Sequence, residues 1–278
     1  MSLIYLNGDY VPHEQAKISV FDRGFLFADG IYEVVPIYNR QPFMFDGHMQ
    51  RLQNSLHEVG ITPPLSSNEW RSILTHLLTE EALDHAILYL QITRGSEFPR
   101  NHSPSPDIQP TVMAYLVPFT PPVGEPTPVR VELLEDIRWL RCDIKSISLL
   151  GNILLKLQST AGGAQEPILH RAGRITEGAS CNYFIVKDGV LITPPADSLI
   201  LAGLTRQHVL KLAADAHIKV REAAFSTAEL YAADECFMTS ATREIIPVGQ
   251  VGQEVIGNGQ CGPVTRTLIE RFRASRPR

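Results

Sequence analysis

No stretch of this chain approaches the roughly 20 apolar residues that a bilayer-spanning helix requires, so no membrane partner is expected. The longest apolar runs, such as Val112-Met113-Ala114-Tyr115-Leu116-Val117, have the length of strands. Basic charge is in short supply too, with 25 Lys+Arg against 30 Asp+Glu and a net charge of −5. Binding a phosphate backbone needs a concentrated basic face, which argues against a nucleic-acid partner. Cysteine is confined to Cys142, Cys181, Cys236 and Cys261, far apart and without CxxC spacing. That pattern speaks against a metal site or disulfides and for buried free thiols in a cytoplasmic enzyme. Met1 to Glu14 carries Asp9 and Glu14 and lacks a basic-then-apolar layout, so no secretory signal is expected.

What is present is an ordinary globular balance: 278 residues, 44% hydrophobic and 20% charged, enough for about two domains. Disorder, collagen and coiled coil are excluded. The composition breaks once, where five prolines fall between Pro118 and Pro128. Neither a helix nor a central strand tolerates such a run, and it reads as an extended linker. The expected organisation is a small α+β domain over 1–118, a linker over 119–128 and a larger strand-rich domain over 129–278.

The first part predicts a hairpin from Leu3-Leu6, Asn7-Gly8 and Tyr10-Val11, followed by a strand from Ile31 to Tyr38. Asp46 is a candidate cap for a helix over His48 to Val59, and Ser66-Ser67-Asn68-Glu69 fits a capping box for a second helix ending near Ala82. Strands are expected at Ala86–Thr93 and Thr111–Val117. Beyond the linker, strands are expected at Val129–Leu134, Pro167–Leu169, Cys181–Val186 and Glu235–Thr239. Helices are expected at Asn152–Thr160, Thr205–Ala216 and Pro263–Arg273. Strands outnumber helices without strict βαβ alternation, which predicts an α+β fold rather than a doubly wound sheet.

Several residues stand out for chemistry. Gly203-Leu204-Thr205-Arg206 opens a helix, where unpaired N–H groups, the dipole and a hydroxyl suit a phosphate; a plain helix cap is the alternative. Thr239-Ser240-Ala241-Thr242 closes a strand with hydroxyls and loop N–H groups. Lysine is scarce, six against nineteen arginines, and a lysine that attacks a carbonyl must shed its proton. Lys145 lies in the alternating, strand-like run Asp143-Ile144-Lys145-Ser146-Ile147, whereas a structural role is the simpler reading of Lys156. Glu177, next to Gly178, could serve a heterocycle nitrogen or be an exposed turn acid. Arg100-Asn101-His102 could clamp a carboxylate or form a solvated basic loop.

Taken in order, the segments Phe21-Asp22-Arg23-Gly24, Ala28-Asp29-Gly30-Ile31-Tyr32-Glu33, His48 to Arg51, Asp143-Ile144-Lys145-Ser146, Thr176-Glu177-Gly178, Gly203-Leu204-Thr205-Arg206 and Thr239-Ser240 carry a family pattern. Over nearly its whole length the chain resembles the fold-type IV pyridoxal-phosphate enzymes, which comprise D-amino acid transaminases, branched-chain transaminases and aminodeoxychorismate lyases. The resemblance implies a two-domain α+β architecture and pyridoxal 5'-phosphate as cofactor. It implies that Lys145 forms the Schiff base and shuttles the proton, and that Glu177 keeps the ring nitrogen protonated. Arg51, Leu204, Thr205, Ser240 and Ala241 would hold the phosphate, with Ser180 close to the cofactor. Ala241 stands where a threonine is frequent, and Ala179 and Cys181 replace serines of some relatives.

The resemblance is nearest to the D-amino acid transaminases, whose Arg-x-His carboxylate trap matches Arg100 and His102, with Tyr32 as third member. Val34 and Thr242 would also meet the substrate. Pro36 departs from that group, where a lysine is familiar. The implied reaction moves the amino group of a D-amino acid such as D-alanine to a 2-oxo acid such as 2-oxoglutarate by ping-pong half-reactions. The alternatives are an aminodeoxychorismate lyase and a branched-chain or (R)-amine transaminase. A homodimer is implied as well, because second-subunit loops complete the site in this family.

Overall fold

In the computed structural model, which describes residues 3–278, the chain forms two compact units. One runs to Pro121 and takes in Ile144–Ser148 and Pro277–Arg278; the other comprises Pro122–Asp143 and Leu149–Arg276. The division falls inside the proline run.

The first unit contains strands β1 (Leu3–Leu6), β2 (Asp9–Pro12), β3 (Gly30–Tyr38), β4 (Gln41–Pro42), β5 (Ala86–Thr93) and β6 (Thr111–Pro118), with helices α1 (Arg23–Phe27), α2 (Phe45–Glu58) and α3 (Ser67–Glu81). The strands make one antiparallel sheet in the order β2-β1-β6-β5-β3-β4. Helices α2 and α3 cover it, burying Met49, Leu52 and Leu56 from α2 and Trp70, Leu74 and Leu77 from α3 against Ile31, Val35 and Leu88. The Ser66–Glu69 capping box forms, and α3 stops at Ala82 in the left-handed region. Asp46 is not the cap of α2. The helix starts at Phe45 behind a left-handed Met44, and Asp46 lies in its first turn, exposed and paired with Arg71 at 2.9 Å. There an acid still favours the helix dipole.

The second unit contains β7 (Val129–Glu135), α4 (Leu150–Ala161), β8 (Glu166–Arg171), β9 (Arg174–Gly178), β10 (Asn182–Lys187), β11 (Val190–Thr193), α5 (Leu204–Asp215), β12 (Lys219–Glu222), α6 (Thr227–Tyr231), β13 (Glu235–Ser240), β14 (Glu244–Val251), β15 (Glu254–Val255) and α7 (Pro263–Ala274). Its sheet runs β12-β11-β10-β13-β14-β7-β8-β9, with β15 beside β14. Three pairs, β11/β12, β14/β7 and β7/β8, are parallel and the rest antiparallel, which makes this an α+β arrangement.

Two sequence expectations need correction. Asp143–Ile147 is not a strand: only Ser146 bridges, to Ile31. Its alternation has a different origin. Because β4 pairs only with Ile37 and Tyr38, the other end of β3 keeps an open edge. Tyr32 N donates to Lys145 O at 3.1 Å, and Ile147 N donates to Gly30 O at 3.0 Å. A Cβ on Gly30 would lie 2.6 Å from the Ile92 carbonyl oxygen and 3.1 Å from Ile147 Cδ1, so a larger residue would not fit. For the same reason Ile144–Ser148 groups with the first unit, although the chain order placed it within 129–278.

Candidate active site

In the first unit, Lys145 is held by its backbone. Its amide donates to Ser55 Oγ on α2 at 3.2 Å, its carbonyl accepts from Tyr32, and the flanking Ile144 and Ser146 are buried. Only the side chain is left to move, and its Nζ lies 4.2 Å from the centroid of the Tyr32 ring. On the same strand, Tyr32 and Val34 point to the half-buried face while Glu33 points to the buried one. Val34 lies opposite Tyr89 of β5, whose ring stacks on Tyr32 at 5.9 Å.

Glu33 is fully buried, and two residues one helical turn apart on α2 satisfy it. Arg51 donates Nε at 2.7 Å and Nη2 at 2.8 Å, and His48 Nδ1 lies 2.7 Å from the carboxylate. Arg51 and His48 hold Glu33 far below the ordinary carboxylate range, although burial opposes them. Burial, together with the nearby Arg51 and Lys145 charges, keeps the His48 imidazole below its usual value despite Glu33. The neutral ring must donate Nδ1–H to the ionised Glu33, so the buried Nε2, without a partner among the described residues, is a lone pair.

The Arg100–His102 loop is anchored from below. Arg23 Nη1 donates to Asn101 O at 2.5 Å and Nη2 to His102 O at 2.9 Å, while Asp29 takes Arg23 Nε at 2.9 Å. The exposed Arg100 guanidinium lies 4.3 Å from the Phe27 ring centroid, and the His102 ring lies 5.3 Å from the same ring. The structure thus brings Arg100 and His102 onto one aromatic residue.

In the second unit, Glu177 is buried at the end of β9. Its Oε1 accepts from Arg138 Nη1 at 2.6 Å; its Oε2 accepts from Asn182 Nδ2 at 3.0 Å and from the Leu201 amide at 3.1 Å. Burial pushes the carboxyl up to about 7, against the pull of Arg138. The solvated turn acid is therefore ruled out. Gly203, at the head of α5, supports this arrangement, because a Cβ there would come 2.1 Å from Asn182 Oδ1. Behind Gly203, α5 starts at Leu204 with no side-chain cap, and Leu204 and Thr205 are buried. Its first N–H groups are thus not taken up by a capping side chain.

At the end of β13, Thr239 Oγ1 is buried without a hydrogen-bond partner among the described residues. Ser240 Oγ accepts from Arg243 N at 3.2 Å, Ala241 is half-buried and Thr242 is exposed. Ser180 donates through N at 3.1 Å and Oγ at 3.2 Å to the fully buried Glu166, which also takes Lys156 Nζ at 2.5 Å and Arg243 Nη2 at 3.0 Å. Lys156 is therefore the partner of a buried acid, the structural role its position suggested.

Sequence reasoning did not single out Glu33, Arg138 or Asp136 as site residues. The signals were faint: His48 and Arg51 at i,i+3 on a helix need an acid across from them, and Asp136-x-Arg138 is a two-residue spacing on extended chain.

Comparison with known proteins identifies this frame. The chain belongs to the class IV aminotransferases, whose family model matches residues 30–251. It is 39% identical over 274 residues to a D-alanine aminotransferase of Staphylococcus epidermidis, covering 98% of this chain and 97% of that one. Among solved structures it is similar to the Escherichia coli branched-chain amino acid aminotransferase, with TM-score 0.92, 29% identity and coverage of 98% and 94% of the two chains. A T.th. branched-chain amino acid aminotransferase solved with pyridoxamine 5'-phosphate has TM-score 0.91 and 26% identity, covering 97% and 92%. Membership of this family makes the chain an aminotransferase and implies a pyridoxal-type cofactor.

Proposed function

We propose that this aminotransferase moves the amino group of D-amino acids, D-alanine among them, to 2-oxo acids such as 2-oxoglutarate, with pyridoxal 5'-phosphate as cofactor. The observation that carries the substrate class is the Arg100–His102 pair on Phe27, in a chain 39% identical to D-alanine aminotransferases. A fixed guanidinium holds an α-carboxylate bidentately, and docking then decides which face of Cα is presented.

The residues present suit the cofactor. The uncapped N-terminus of α5 and the unpartnered Thr239 hydroxyl have the donor chemistry of a phosphate site. Arg51, Thr205, Ser240 and the Leu204 and Ala241 backbones would hold that phosphate, and Ser180 would lie close by. Glu177, buried and balanced near neutrality, suits a ring nitrogen whose proton it would hold. When bound, the cofactor supplies a carbonyl for the substrate amine and an electron-withdrawing ring for the pair left at Cα. Lys145 Nζ would take the proton from Cα and deliver it to the cofactor carbon that receives the nitrogen, C4′, so that the amino group stays with the cofactor when the 2-oxo acid leaves. Tyr32, Val34 and Thr242 would shape the substrate's surroundings.

A homodimer is part of this proposal, supported by α4. Leu150, Ile153, Leu154 and Leu157 form an i, i+3, i+4, i+7 stripe that faces outward, while Leu155 and Ser159 pack inward. Such a stripe is the pattern of a helix that buries this face elsewhere. Four buried free thiols suit a reducing cytoplasm.

Solved branched-chain aminotransferases match the fold closely, which favours branched-chain L-amino acids as the second reading. Adding D-alanine, L-alanine and L-leucine separately to the purified protein decides between them. Loss of the visible absorption of bound cofactor with D-alanine alone is expected. Loss only with L-leucine would overturn the assignment.

A further inference from the structure

Glu177 belongs to a longer chain of charge. Arg138 grips Asp136 with Nε on Oδ1 and Nη2 on Oδ2, both at 3.0 Å, and its amide reaches Oδ1 at 3.0 Å. Asp136 is held from the other side by Thr176 Oγ1 at 2.9 Å and Arg171 Nε at 3.2 Å. The remaining guanidinium nitrogen, Nη1, is the one on Glu177 Oε1 at 2.6 Å. Asp136, Arg138 and Glu177 are all buried. In a low-dielectric interior, one cation shared by two carboxylates divides its stabilisation between them. Asn182 and Leu201 give Oε2 neutral donors, so Arg138 is the charged hydrogen-bond donor to Glu177.

We propose that Arg138 is a positioning residue: clamped by Asp136, it fixes the Glu177 carboxylate and sets how much negative charge that carboxylate keeps for the cofactor's ring nitrogen. This rests on the role proposed above for Glu177.

The titratable groups around the carboxylate are Arg138 and Asp136 in the segment after β7, Cys142 further along it, Arg171 of β8 acting on Asp136, and Cys181 after β9. Burial lifts Glu177 to about 7, Arg138 draws it down, and Asp136 adds to the rise. Removing the cation must therefore raise the titration midpoint, and neutralising Asp136 must lower it.

The full-length protein, with its glutamates 13C-labelled at the carboxyl carbon, is titrated by NMR from about pH 5 to about pH 11, with and without pyridoxal phosphate. Glu177→Gln identifies the signal. Arg138→Met is expected to raise the midpoint by about one to three pH units, and Arg138→Lys, which keeps a charge without the clamp, by less. Asp136→Asn, equal in shape, is expected to lower it. A general loosening of the site would not move the two in opposite directions. In the loaded protein, the pH dependence of the visible absorption of bound cofactor should follow the same order, and Glu177→Gln should abolish that order. An unmoved midpoint in both Arg138 variants, or an upward shift in Asp136→Asn, overturns the proposal and leaves the role of Glu177 intact. If the midpoints move but cofactor absorption ignores Glu177→Gln, the role of Glu177 fails and the proposal falls with it.

Discussion

Arg51 of α2 donates Nε at 2.7 Å and Nη2 at 2.8 Å to the two carboxylate oxygens of Glu33, a residue with no exposed surface on the core side of β3. A buried carboxylate is tolerable only when paired and fully hydrogen-bonded, and here the partners lie on the helix that covers the strand. The pair therefore fixes α2 on β3, and with it Ser55, which accepts from the Lys145 amide.

His48 makes this arrangement sensitive to acid. Its imidazole is held below the usual range by burial, so below about pH 6.5 the unfolded chain takes up a proton that the fold resists. Glu33, held low by Arg51 and His48, adds stability above about pH 4.3 that is lost on further acidification. Between pH 7 and pH 5, His48 and His208, both lowered by burial, pull the thermal midpoint down while Glu177, raised to about 7, pushes it up, so His48→Gln should make the midpoint at pH 5 higher relative to that at pH 7 than in the wild type. An unchanged difference in the variant would remove His48 as a cause.

Lys145→Ala should reduce transamination by about a hundred- to ten-thousandfold, the range expected when a general acid–base is removed. Circular dichroism should stay unchanged, because main-chain bonds hold the segment to Tyr32, Gly30 and Ser55. Appreciable residual turnover would assign the proton transfer to another group.

Arg100→Ala removes the proposed carboxylate partner. A charge-assisted hydrogen bond contributes about 1.5–3 kcal/mol, so KM for D-alanine should rise by about 10- to 150-fold, with cofactor retention unchanged. Parallel loss of cofactor would mean that Arg100 serves mainly to pack on Phe27.

Gly203→Ala drives a methyl group to 2.1 Å from Asn182 Oδ1. Overpacking of this kind costs about 1–3 kcal/mol. Since Asn182 also donates to Glu177 Oε2, pyridoxal phosphate should dissociate faster as the melting temperature drops. A variant with wild-type melting and wild-type retention would show that the helix start yields without cost.

Leu154→Glu places a charge in the outward stripe of α4. If that stripe is buried in a homodimer, light scattering should report the monomer mass at micromolar concentration. A dimer unaffected by the change would locate its interface elsewhere.

Local chemistry made much of this molecule legible in its sequence. The Asn7-Gly8 turn, the Ser66–Glu69 capping box, the strands at Ala86–Thr93 and Thr111–Val117 and the start of α5 depend on neighbours within a few residues, and the structure contains them all. What the sequence alone could not determine depends on distant partners. Lys145 sits in a strand-like alternation because a strand more than a hundred residues earlier has an open edge there. Nothing near Glu177 in the chain reveals that it is buried, or that Arg138 and Asp136 share its charge. Residue types and their order are set by the chain; burial, pairing and protonation are set by which segments the fold brings together, because desolvation and Coulomb energies act through space rather than along the sequence.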